Sequence, residues 1–210
     1  MTDVLWAGPG NARATLVLAH SAGSPMDSPW LTTMCDLLAD RGIRTARFEF
    51  AYMAGRRQGT RRPPPKAELA MDEYRDAVAE VVAAAGSPVL IGGKSYGGRV
   101  ASLVADEVHD AGTVSGLVCL GYPFHPPQRP DQLRTGHLLD LHTPALICQG
   151  TRDPFGGADQ VPGYGLPTSI ELDWFPGDHD VQPRTRLAPV ADAVAKFAER
   201  ARTTSPRAED

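Results

Sequence analysis

The 210 residues contain no run of about 18 consecutive apolar side chains, which excludes a helical membrane span. Basic excess is also missing. Lys and Arg number 21 against 25 Asp and Glu, a formal net charge of -4, so there is no electrostatic footprint for nucleic acid. Cysteine is scarce: Cys35, Cys119 and Cys148 are odd in number, lie among apolar neighbours, and show no CxxC or Cys/His ligand spacing. That rules against a disulfide framework or a zinc site and makes them reduced core residues by expectation. Motifs for metal or cofactor binding are absent too, so no cofactor is expected. The stretch Met1 to Trp6 lacks both the basic n-region and the apolar h-region of a secretory signal, and a cytoplasmic protein is the expectation.

What is present is a chain with 42% hydrophobic and 22% charged residues, enough to bury one sizeable core. Short apolar runs alternate with longer stretches of helical period, the pattern of βαβ units and a mostly parallel sheet with helices on its faces. The runs predict strands at Leu16 to His20, Thr45 to Phe50, Val89 to Gly92, Gly116 to Tyr122, Ala145 to Gln149 and Ser169 to Phe175. Helices are predicted from Ser28-Pro29, an N-cap and N1 pair, with Gly42 beyond the end; near Lys66 to Ala85, with Leu69, Tyr74, Val78, Val81 and Val82 on one side; from Tyr96; and from about Pro189. Arg56 to Arg62, followed by three prolines, reads as an exposed basic loop. A single domain over 1-201 with a frayed tail at 202-210 is expected.

Residues 88 to 104 run from an apolar strand through a Gly-rich corner into an amphipathic helix, with Gly93-Lys94-Ser95-Tyr96-Gly97 at the corner. Gly-x-Ser-x-Gly in that setting marks a nucleophile elbow: the serine sits on a sharp, strained turn, and strand and helix pass so closely that its neighbours two residues away must be glycine. Gly92 and Gly98 add clearance. A phosphate-binding P-loop is the rival, since Gly93-Lys94-Ser95 matches the end of its motif. It fails because Pro88 holds the first glycine position and the residues between are strand. The elbow makes the fold class α/β, specifically an α/β-hydrolase fold.

A serine hydroxyl needs a histidine base, and that histidine usually needs a carboxylate to hold its tautomer. In this fold they follow later strands in the order Ser, Asp or Glu, His. Asp153 follows the fifth predicted strand and His179 the sixth, so Ser95, Asp153 and His179 form the candidate triad. Both positions also admit a plain reading, as a turn aspartate before Pro154 and a solvated loop histidine. Histidines 20, 109, 125, 137 and 142 lack the combination of placement and order and default to structural roles. For the oxyanion, the Tyr96 backbone N-H and a second N-H from the turn His20-Ser21-Ala22-Gly23 are expected, with Ala22 first and Ser21 the fallback.

With these residues in hand, the chain resembles the small, lidless α/β-hydrolases related to dienelactone hydrolase, and is most similar to the bacterial branch of the Tex-thirty-like hydrolases. The resemblance spans nearly the whole chain: the His20 turn with Met26-Asp27-Ser28-Pro29, Gly92 to Arg99, Gln149 to Phe155, and His179. It implies a serine hydrolase acting on an ester or thioester. Some relatives in the family look like non-catalytic partners, which implies a binding or scaffold protein as the alternative. Two departures stand out: Ser21 where hydrolases of this fold commonly carry glycine, and serine where dienelactone hydrolases proper carry cysteine. The short, Pro-rich stretch Tyr122 to Thr143 leaves no room for a large lid, so a small or soluble acyl substrate is the expected partner, with no nucleic acid and no membrane. Met26, Trp30, Tyr122 and Phe124 either line the acyl pocket or pack as core.

Overall fold

Side chains along the inner strands alternate between two cores, so their apolar runs become strands buried on both faces. In β2 (Ala14–Ala19), Leu16 and Leu18 enter one core while Val17 and Ala19 enter the other. The computed structural model describes residues 3–181 and 186–204. Their order is β1 (Leu5–Ala7), β2, α1 (Pro29–Ala39), β3 (Ile43–Phe48), α2 (Ala51–Arg57), α3 (Met71–Ala85), β4 (Val89–Lys94), α4 (Tyr96–Asp110), β5 (Leu117–Leu120), β6 (Ala145–Gly150), β7 (Ile170–Phe175) and α5 (Leu187–Thr204). The sheet runs β1-β3-β2-β4-β5-β6-β7, all parallel except the antiparallel edge strand β1. Helices α1 and α5 cover one face, α3 and α4 the other.

All six predicted strands are present, with ends shifted by a few residues. Two elements were not predicted. β1 is three residues long and gains its pairing from β3. α2 fills the unassigned stretch after the strand predicted to end at Phe50 and takes in the first two residues of the predicted basic loop, Arg56 and Arg57. The chain turns at Phe50, whose N-H is accepted by His20 Nε2 at 3.2 Å, and the Ala51 N-H is capped by the Glu73 carboxylate at 2.6 Å. Both caps come from distant segments, so no local pattern announces this helix.

The second predicted helix also needs correction. Ala67–Leu69 is a separate 3-10 turn, and Leu69 is 74% exposed instead of lying in the core stripe, which begins with Tyr74. Ser28 stands at the N-cap of α1 as expected, though its side chain makes no capping bond. α5 continues to Thr204, three residues past the expected boundary at Ala201, and residues 205–210 of the expected tail lie outside the described residues. Cys35, Cys119 and Cys148 are buried, unpaired and raised above the ordinary thiol range by burial. Between β5 and β6 the one regular element is a single turn, Gly136–Leu138, so no lid domain stands there. No helix among the described residues is long and apolar enough to cross a membrane.

Candidate active site

Three strand ends build the site. At the end of β4, Ser95 adopts φ 52° and ψ -113°, left-handed backbone that a non-glycine residue rarely accepts. The corner survives because β4, β2 and α4 approach without side chains between them. A Cβ on Gly97 would lie 2.6 Å from the carbonyl oxygens of both Ala19 and His20, and one on Gly93 would fall on the backbone of Gly97 and Gly98. The Ser95 N-H is held by the Leu120 carbonyl at 3.0 Å, and the side chain faces a cleft of about 410 Å³.

After β6, the Asp153 side chain is fully buried, and every oxygen has a donor. Oδ2 accepts from His179 Nδ1 at 2.7 Å and from Gln149 Nε2 at 2.9 Å, while Oδ1 accepts from the Phe155 N-H at 2.8 Å. A carboxylate can only accept here, so Nδ1 of His179 carries the proton and Nε2 is left with a free lone pair. The His179 ring packs at 4.4 Å between centroids from Phe155, which lines the same cleft as Ser95. The loops bearing Asp153 and His179 are laced together by Thr151 N-H to Phe175 O and Arg152 N-H to Gly177 O, both 2.9 Å.

Two residues that sequence reasoning did not single out hold this arrangement. Gln149 is fully buried at the end of β6. Its Oε1 accepts the Tyr122 N-H at 2.7 Å, and its two amide hydrogens are shared among Asp153 Oδ2, Tyr122 O and Gly156 O. A glutamine directly after the apolar run Ala145-Leu146-Ile147-Cys148 was the available signal. Lys94, the residue before Ser95, is 4% exposed and reaches under the histidine loop. Its Nζ donates to His179 O at 3.0 Å, meets Asp180 Oδ1 at 3.1 Å, and lies 5.4 Å from the centre of the Trp30 ring. Burial pulls its ammonium below the usual lysine range, with Asp180 opposing.

The turn after β2 shares the cleft with Ser95 through Ala22. His20 shapes it. Its Nε2 accepts the Phe50 N-H, so Nδ1 carries the proton and donates to Ser21 O at 2.7 Å. Burial lowers its basicity, and both nitrogens are occupied, which makes this histidine a latch. Ser21 has no positive φ, so the turn does not demand the glycine common at that position. Tyr52 Oη donates to Ala22 O at 3.2 Å, further fixing the turn. The Tyr96 N-H lies in the first turn of α4, where no intrahelical acceptor exists.

Of the two readings open for Met26, Trp30, Tyr122 and Phe124, lining the Ser95 cleft holds for none of the four, and core packing holds for the last two. Tyr122 and Phe124 are completely buried in the core, and Tyr122 Oη donates to Arg134 O. Met26 lines a different cleft of about 400 Å³, with Phe48, Glu49 and Arg57. Trp30 donates from Nε1 to Asp180 O at 2.9 Å and so belongs to the Lys94 clamp. The other histidines are engaged elsewhere: His109 with Val114 O, His125 with Gln160, His137 with Ser102 Oγ, and His142 with Asp106 and Asp110. Among the described residues no cluster could hold a metal ion.

A family model described as "Alpha/beta hydrolase domain" matches residues 12–204. Among solved structures, similar ones include an α/β serine hydrolase without a lid from Xanthomonas campestris (TM-score 0.74, 18% identity, 97% of this chain and 91% of that one). An α/β serine hydrolase homologue from Coxiella burnetii matches at TM-score 0.71 and 17% identity, over 92% of this chain and 89% of the other. A dienelactone hydrolase from Anabaena variabilis matches at TM-score 0.70 and 20% identity, over 94% and 90%. At these identities the structural likeness speaks to fold.

Proposed function

Because the chain belongs to the alpha/beta hydrolase domain family, we propose that it is a serine hydrolase cleaving a small or soluble ester or thioester, with Ser95 as nucleophile, His179 as base and Asp153 as its orienting carboxylate. The observations that carry this reading are a strained, cleft-facing Ser95 at the end of β4 and, after β6 and β7, a histidine whose Nδ1 is committed to a fully buried aspartate at 2.7 Å. The motif run from Gly92 to Arg99 supports the Tex-thirty-like branch as the finer placement.

In the first step Ser95 Oγ bonds to the acyl carbon while its proton passes to His179 Nε2. Asp153 remains ionised and stabilises the imidazolium. The carbonyl oxygen becomes an oxyanion held by the Tyr96 and Ala22 N-H groups. Collapse breaks the bond to the alcohol or thiol, which leaves with the proton from Nε2. Water then attacks the acyl-enzyme, His179 takes its proton, and the acid departs as Ser95 regains a hydrogen. A cleft of about 410 Å³ without a lid suits small acyl groups. The expected result is turnover of p-nitrophenyl acetate and butyrate above the buffer rate; a folded protein giving no release above buffer with any short ester contradicts the reading.

Lys94 acts in this scheme as a positioning residue. Lys94→Met keeps the length and removes the donor to His179 O, and kcat is expected to fall about tenfold to a hundredfold with KM nearly unchanged. Stability should change little, because the freed Asp180 side chain is 51% exposed and stays hydrated. A steady-state assay beside a thermal melt checks this; a lowered Tm with unchanged kcat would assign Lys94 to packing alone.

A further inference from the structure

The wall of the Ser95 cleft carries Lys66, Arg99 and Arg134 beside apolar Pro65, Pro123 and Phe155. Only one of these cations is paired. Arg99 Nη2 meets Glu68 Oε1 at 2.6 Å, while its Nε is buried with no acceptor. Among the described residues neither Lys66 nor the Arg134 guanidinium has a carboxylate partner. Glu68 is that one carboxylate, and the nearby His137 is pushed down to about 4 by burial and by Arg99, so it is neutral at pH 7 and adds no charge of its own.

Arg134 is mounted rigidly for an exposed-loop residue. Its N-H is held by Phe124 O at 2.7 Å and its carbonyl accepts from Tyr122 Oη at 3.1 Å, both partners being fully buried. The guanidinium above this base is half-buried, and desolvation together with the Arg99 charge destabilises its cationic form. Two guanidinium groups brought together, partly desolvated and answered by a single carboxylate, leave an uncompensated positive site. A planar donor fork of this kind matches a carboxylate through two parallel hydrogen bonds.

Resting on the hydrolase reading, we propose that the substrate carries a carboxylate a few bonds from its scissile carbonyl, and that Arg134, with Arg99 beside it, binds that carboxylate while the carbonyl meets Ser95. The substrate class is then an ester or thioester with a free acid group, such as a dicarboxylic monoester.

The test uses monomethyl adipate against dimethyl adipate, and an acetoxy carboxylate against its methyl ester, which place the acid on the acyl side and on the leaving-group side. The expected kcat/KM ratio favours one of the two acids over its neutral partner by about tenfold or more, and Arg134→Gln removes the preference while Arg134→Lys retains part of it. Equal or better turnover of both neutral esters overturns the proposal and leaves the hydrolase standing. Binding is read without turnover by calorimetric titration of Ser95→Ala protein with the same four compounds. A preference for an acid there, lost on adding Arg134→Gln, supports the carboxylate site even if no ester is cleaved, and equal affinity for acid and neutral forms overturns it.

Discussion

Replacing Ser95 with alanine is expected to lower kcat for p-nitrophenyl butyrate by about 10⁴-fold to 10⁶-fold while the protein remains folded. The size follows from removing the only atom that forms a bond to the acyl group. What remains is the oxyanion site and substrate binding, which accelerate attack by water modestly. Folding should be preserved, although alanine inherits the same left-handed backbone, φ 52°, because the surrounding strand and helix enforce that corner whichever side chain occupies it. Steady-state kinetics with a denaturation curve on both proteins separates the chemical loss from a folding loss. Activity within a few fold of wild type would move the nucleophile elsewhere.

Removal of the base should cost nearly as much. His179→Ala is expected to lose about 10⁴-fold to 10⁶-fold in kcat, and the Ser95→Ala/His179→Ala double variant no more than either single one, since residues acting as one unit are non-additive. Two features tie this expectation to the geometry. His179 has its Nδ1 proton committed to Asp153 at 2.7 Å, so one tautomer is held, and its main chain is pinned by Lys94. A variant whose losses simply multiplied would indicate two independent contributions instead of one proton-transfer unit.

The elbow was legible because its requirement is local. Glycines must stand two residues either side of the serine, between an apolar strand and an amphipathic helix, and Gly93 and Gly97 do so. Asp153 and His179 could be named from their order and their position after strands. Their mutual contact is a long-range fact that the fold supplies. Gln149 and Lys94 were passed over because each looks like a polar interruption of a strand end, and nothing in the local sequence says which loop lies above it.

The choice between pocket and core stayed open in the sequence for a related reason. Tyr122 and Phe124 are large and apolar, and the same property that suits a pocket also suits a core; here they pack on each other, with Phe124 against Tyr164, and are fully buried. The cleft wall is drawn instead from Pro64 to Ala67, Arg99 and Arg134, segments far apart in sequence. Ser21 illustrates the opposite case. Glycine is common at its position in this fold, yet Ser21 has no positive φ that would require one, a conformation that pattern alone does not report. Helix α2 was hidden because its capping acceptor, Glu73, is 22 residues away.

Whether Ser95 is an activated nucleophile is read most directly by intact-protein mass spectrometry after treatment with a fluorophosphonate. The predicted result is one adduct on the wild-type chain, mapped to Ser95 by peptide analysis, with none on Ser95→Ala and strongly slowed labelling of His179→Ala. A folded wild-type protein that takes up no adduct would contradict the account and leave the fold serving as a binding scaffold.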